Sequence, residues 1–148
     1  FVKALSFASG PASGPMDPTY DYTTFLEVVR SAEDAYKQAG VSDPRAEIAM
    51  AEVHDCFTPT ELVLMEDLGF CERGTAWKEV LAGAFDLDGD LPVNPDGGLK
   101  SFGHPVGASG ARIVLHLLNV LKRTGGRRGM AAICIGGGQG GAMLVERV

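Results

Sequence analysis

Positive charge is scarce in this chain. Across 148 residues, 13 Lys and Arg stand against 19 Asp and Glu, a net charge of −6. A surface of that sign argues against nucleic acid as a partner. Long apolar runs are missing too, so no segment reads as a membrane span or a signal sequence. Cysteine is sparse: Cys56, Cys71 and Cys134 are odd in number and widely spaced. That pattern excludes a disulfide framework and points to reduced thiols in a cytoplasmic compartment. No Cys-x-x-Cys pair occurs, and Asp86, Asp88 and Asp90 lack the glycine and closing glutamate of a calcium loop. No metal site is therefore expected. The chain opens at Phe1 rather than Met, inside a strand-like run, which reads as a piece of a longer chain with no leader. Its length fits a single domain over residues 1–148.

What is present is an alternation of strand and helix signals. Residues 2–8 read as a strand, and residues 9–17 as a loop with two Gly and two Pro. Thr24 and Glu27 have the spacing of a capping box, in which hydroxyl and carboxylate satisfy free N–H groups at a helix start. Phe25, Val28, Ala32, Tyr36 and Ala39 then recur at helical spacing, and Gly40 stops the helix. Residues 47–54 form a short strand with one internal acid, Glu52. Thr58 and Glu61 suggest a second capping box, before a helix that buries Leu62, Leu64 and Met65 and ends at Gly69. A short helix is expected around residues 77–82. Ile113, Val114, Leu117, Val120 and Leu121 stripe a helix over residues 107–123, with Lys122 and Arg123 at its negative end. Residues 130–135 are a continuous apolar run, as a buried strand requires, and residues 140–148 give a last strand. The order predicts an α/β fold with a mixed, mostly parallel sheet, helices on its faces and an antiparallel last strand.

In such sheets ligands bind beyond the carboxyl ends of the strands. His104 stands in a glycine-rich loop just before a helix, with Gly103 and Gly107 leaving room for a ligand. Pro105 holds it extended, and the positive end of the helix favours a neutral imidazole with a free lone pair. Cys134 has two readings. It fills the core, as free cysteines often do, or it lies beside N–H groups exposed by Gly136, Gly137 and Gly138 that suit an oxyanion. His54 and Cys56 flank Asp55, and a structural and a catalytic role fit equally. Residues 136–141 match a dinucleotide glycine pattern, but only seven residues follow and they read as strand. Ser109 resembles the serine of a nucleophile elbow, but position 111 is Ala and no strand precedes it, so Ser109 is assigned to the helix start.

Four motifs occur in register: His54-Asp55-Cys56-Phe57, Asn94-Pro95-Asp96-Gly97-Gly98, Gly103-His104-Pro105 with Gly107-Ala108-Ser109-Gly110, and Cys134-Ile135-Gly136. Together they resemble the C-terminal half of a thiolase over nearly the whole chain. The likeness is to the branch with His-Asp-Cys-Phe where other thiolases have Asn-Glu-Ala-Phe, which includes the sterol-carrier-protein thiolases. The resemblance implies a five-stranded half, with its nucleophilic cysteine in an absent N-terminal half. It implies that His104 activates that cysteine and that Cys134 is the acid/base thiol. Gly136 would line one oxyanion hole, His54 would replace the asparagine of the other, and Cys56 would belong to the same motif.

The activity so implied is acyl transfer in lipid metabolism, such as fatty acid β-oxidation, by thiolytic cleavage or Claisen condensation. An acyl-CoA is the substrate, and no cofactor is required. The partners would be the N-terminal half and, in the full-length protein, further copies in a homodimer or tetramer. Two alternatives are a non-catalytic thiolase-like assembly module and a thiolase-fold aldolase of steroid side-chain thioesters. Retention of His104 and Cys134 argues against the aldolase. The cysteine before Gly136 argues against a ketoacyl synthase.

Overall fold

A computed structural model describes residues 1–10, 14–136 and 138–148, without the side chain of Pro15. Residues 11–13 of the first loop and Gly137 of the glycine run lie outside the described residues. The strands are β1 (Val2–Ser9), β2 (Met50–Val53), β3 (Arg128–Cys134) and β4 (Gln139–Glu146). The helices are α1 (Leu26–Ala39), α2 (Pro44–Glu47), α3 (Thr58–Asp67), α4 (Ala76–Leu81), α5 (Gly98–Phe102) and α6 (Ser109–Thr124). Among the described residues no helix is long and apolar enough to cross a membrane.

The sheet order is β1-β4-β3-β2. The last strand is antiparallel, as expected, and it lies inside the sheet against both β1 and β3. Among the described residues, only β2 and β3 pair in parallel as strands. The sheet is therefore mixed but not mostly parallel, because the tight β3–β4 reversal returns the chain through the middle. Among the described residues the sheet has four strands. The fifth position is marked by a single parallel bridge from Val93 to Ala51.

Pleating sorts the strand residues onto two faces. Ala4, Ala51, Val53, Met130, Ala132, Ala142 and Leu144 share one core cluster with Val28, Ala32, Ala35 and Tyr36 of α1. Leu64, Met65 and Leu68 extend that core. On the opposite face Met50, Ala131 and Val145 meet Ile113, Leu117, Val120 and Leu121 of α6. Each fully buried Leu, Ile, Val or Phe contributes about 1.5–3 kcal/mol over an exposed one. The approach of α1 to β4 depends on Gly140, where a Cβ would stand 2.8 Å from the backbone of Glu27 and Val28. The α6 face is only partly covered. Register puts Leu5 and Phe7 of β1 on that side, yet they are 64% and 58% exposed.

Neither capping box forms. Thr24 Oγ1 and the Phe25 N–H both donate to the Asp67 carboxylate, at 2.8 and 2.7 Å, so an acid from α3 secures the start of α1. Arg73 pairs with the same carboxylate. At α3 the residue before the helix, Phe57, makes no side-chain cap. Glu61 instead accepts a hydrogen bond from Asn94 Nδ2 at 2.7 Å. In both cases a partner distant in sequence takes the group that a local cap would have used.

Candidate active site

The parallel β2–β3 ladder continues one residue past β2. The His54 N–H donates to Ala132 O at 3.1 Å, which fixes His54 at the carboxyl end of the sheet. Its side chain is buried. Burial holds its pKa below the ordinary imidazole value, as does the neighbouring His104, while Asp55 acts in the other direction. Asp55 is also buried, and its two carboxylate oxygens accept the N–H groups of Leu99 and Lys100 at 2.8 and 3.2 Å. This anchors α5 to the end of β2. The close approach requires Gly98, whose φ is +59° and where a Cβ would come within 2.5 Å of Asp55 Oδ2.

Asn94 ties the same loop to the sheet from the other side. Its φ is +47°, in the left-handed region that Asn tolerates better than most residues. Its Oδ1 accepts the Val53 N–H at 2.8 Å, and its own N–H donates to Ala51 O at 3.0 Å. The side-chain amide thus replaces a strand neighbour that the short fifth position does not supply.

His104 reaches this end of the sheet from the loop before α6. The two imidazoles meet edge to face, with ring centroids 4.9 Å apart and planes at 88°. His104 Nδ1 lies 2.6 Å from Ser109 Oγ, and that hydroxyl donates to Pro105 O at 3.1 Å. With its one proton so used, Ser109 accepts from His104 Nδ1–H, which leaves the Nε2 lone pair of the neutral ring free. Ser109 therefore orients His104 instead of capping the helix, and α6 has no side-chain cap at its start. Arg112 donates to Phe102 O at 2.8 Å and to Gly103 O, clamping the loop just before His104. No atom lies within 4 Å of the Cβ positions of Gly103 and Gly107, so His104 is open to an incoming ligand. Phe102 and Val106, close to it in the chain, are exposed.

Cys134 closes β3, two residues beyond the carbonyl that holds His54 and across the ladder from Gly140. It is partly exposed and makes no side-chain hydrogen bond to the described residues. Strand alternation carries it to the α1 side with Ala132, whereas His54 continues the α6 side of Met50 and Glu52. The structure thus joins the two histidines directly and sets the thiol at the same strand ends without joining it to either ring. Gly136 follows with φ +95° and open space where a Cβ would be. Cys56 turns toward α3, its Sγ 3.7 Å from Thr60 Oγ1.

Sequence reading passed over the roles of Asn94 and Arg112, assigned Ser109 to the helix start instead of to His104, and did not single out His116 of α6. His116 sits at the edge of the apolar stripe and touches Asp96 and Glu52. A polar residue beside an otherwise regular stripe was the available signal.

Residues 15–148 match the family described as Thiolase C-terminal domain-like. An acetyl-CoA acetyltransferase of Methanothermobacter thermautotrophicus is 37% identical over 99% of the chain and 38% of its own length. One from Syntrophomonas wolfei is 30% identical over 98% of the chain and 31% of its own length. A cytosolic acetyl-CoA acetyltransferase of Mus musculus is 49% identical over 56% of the chain and 21% of its own length. The chain thus spans well under half of these relatives, and by family, motif order and fold it belongs to the thiolase C-terminal domains.

Proposed function

We propose that this chain is the C-terminal catalytic part of an acyl-CoA thiolase, working with an N-terminal half that supplies the nucleophilic cysteine. The observation that carries the reading is the His54–His104 pair, in which the hydrogen bond to Ser109 leaves His104 Nε2 free as a base. His104 takes the proton of the nucleophilic thiol. The resulting thiolate attacks the 3-keto carbonyl of a 3-ketoacyl-CoA, and the bond between the α and β carbons breaks. The enolate of acetyl-CoA so released takes a proton from Cys134. Incoming CoA then attacks the acyl-enzyme, its thiol proton returning to the Cys134 thiolate, while the nucleophilic cysteine leaves as a thiolate and recovers its proton from His104. Condensation is the reverse sequence. Developing negative charge on oxygen is met by the Gly136 N–H at one position and by His54 at the other. Cys56 supports the His54 segment through its contact with Thr60.

The exposed apolar Leu5 and Phe7 of β1, and Leu115 and Leu118 on α6, suit burial against the N-terminal half. No resident cofactor is needed for these steps.

The test is cleavage of acetoacetyl-CoA by the 148-residue chain and by a parent protein carrying the N-terminal half. The chain alone is expected to be inactive and the parent active. Turnover by the isolated chain would make one of its own cysteines the nucleophile and overturn this division of labour. A folded but inactive parent would favour an assembly module.

A further inference from the structure

Ser109, Arg112 and His116 fall at i, i+3 and i+7 of α6 and so share one face of it. Ser109 fixes His104 Nδ1, and Arg112, nearly one turn further on, fixes the chain that leads into the ring. The two terminal nitrogens of Arg112 donate to Phe102 O at 2.8 Å and to Gly103 O, the carbonyls just before His104. The guanidinium carbon also lies 5.9 Å from the centre of the Phe102 ring. Two acids stand close by, since Glu52, Asp96, Arg112 and His116 border one cavity of about 150 Å³. A charged acceptor binds a guanidinium roughly twice as strongly as a neutral carbonyl does. Arg112 would therefore leave the two carbonyls for Asp96 unless another group held that acid. His116 holds it, with Nδ1 2.9 Å from Asp96 Oδ2 and Nε2 3.5 Å from Glu52 Oε1. Glu52 is 3% exposed, and neither its Oε1 nor His116 Nε2 has another partner among the described residues.

We propose that Arg112 and His116 are paired positioning residues for His104: His116 occupies Asp96 and Glu52, which leaves the Arg112 guanidinium to the carbonyls of Phe102 and Gly103 and so sets where His104 Nε2 stands. The pair deepens the thioester reading, since it serves the reaction only if His104 is the base there. Of the two acids, Asp96 is the competitor that counts. Burial, then Asp96, Asp55 and Glu61, push the Glu52 carboxyl up to about 8 against the opposing Arg112, so at neutral pH it carries little charge to draw the guanidinium. Without His116, Arg112 turns into the cavity toward Asp96, and the carbonyls before His104 lose both donors. Ser109 still meets the ring, but the backbone that carries the ring is free to shift. A misplacement of about 1 Å in a reacting group can cost about 10²-fold in rate.

In the parent protein, His116→Leu is expected to lower the rate of acyl-enzyme formation by about 10–10²-fold, with KM for acetoacetyl-CoA little changed. Its crystal structure should show Arg112 paired with Asp96 and turned away from Phe102 O and Gly103 O. Adding Asp96→Asn removes the competing charge and should restore most of the lost rate, which a merely structural role of His116 would not allow. The pairing is overturned by a His116→Leu protein that acylates at the parent rate, that keeps Arg112 on both carbonyls, or that Asp96→Asn does not rescue. Should His116→Leu fail to fold, Arg112→Lys is the second variant. A single ammonium lacks the fork that spans two carbonyls, so the same fall in kcat at unchanged KM is expected, and an unaltered kcat overturns the role of Arg112. Failure of the thioester reading looks different. An unsubstituted parent that does not cleave acetoacetyl-CoA defeats that reading, while the His116→Leu crystals still decide between Asp96 and the carbonyls. An active parent whose His116→Leu variant is unimpaired defeats the pairing alone.

Discussion

Replacing His104 by Ala in the parent protein is expected to lower acyl-enzyme formation by about 10²–10⁴-fold, the usual weight of a positioned base. The measurement is covalent labelling with a radioactive acyl-CoA. The size follows from how the ring is held. Ser109 fixes Nδ1 at 2.6 Å, so Nε2 is the nitrogen presented to a thiol, and the neighbouring residues offer no second base in that position. His54 cannot replace it directly, since it is buried behind His104 and contacts it edge to face. The variant should remain folded. His104 is exposed, and exposed substitutions usually change stability by less than about 0.5 kcal/mol. A folded variant that labels normally would remove His104 from the mechanism.

Cys134→Ala should separate the two halves of the reaction. Acyl transfer to the parent protein is expected to continue, while exchange of the α-protons of acetyl-CoA with solvent falls by about 10²–10⁴-fold. The separation follows because the thiol bonds to neither imidazole, so its removal leaves the His54–His104 contact and the Ser109 anchor in place. The lost sulfur also lies at a partly exposed strand end rather than in the sealed core, which limits the cavity left behind. Undiminished exchange would return Cys134 to the role of a core-filling residue.

The elements legible in the sequence were those written in a single period. The apolar stripe of α6, the stop at Gly40 and the buried run of β3 depend on neighbours three, four or two residues away. What the sequence concealed was settled by residues far apart. Thr24 lies 43 positions from the Asp67 that binds it, and Asn94 lies 41 from the Val53 N–H it receives. A local capping pattern carries no information about such competitors. The central position of β4 was hidden for the same reason, since a strand does not encode which neighbours it will pair with. At the site, His54 and His104 could be placed at one sheet end from strand order and loop position. Their direct contact depends on how α5 and the loop after it are pinned by Asp55 and Arg112, which only the fold displays. Glu52 was visible as an acid in an apolar strand, but its partner His116 comes from a helix 64 positions on.

The most direct measurement is a crystal structure of the parent protein with acetyl-CoA bound. The expected result places the thioester beyond the ends of β2 and β3, with His104 Nε2 and Cys134 Sγ each about 3–4 Å from the atoms they are to deprotonate or protonate. A thioester seated away from the histidine pair, or a Cys134 thiol still turned toward α1 and out of reach of the bound acetyl group, would contradict it.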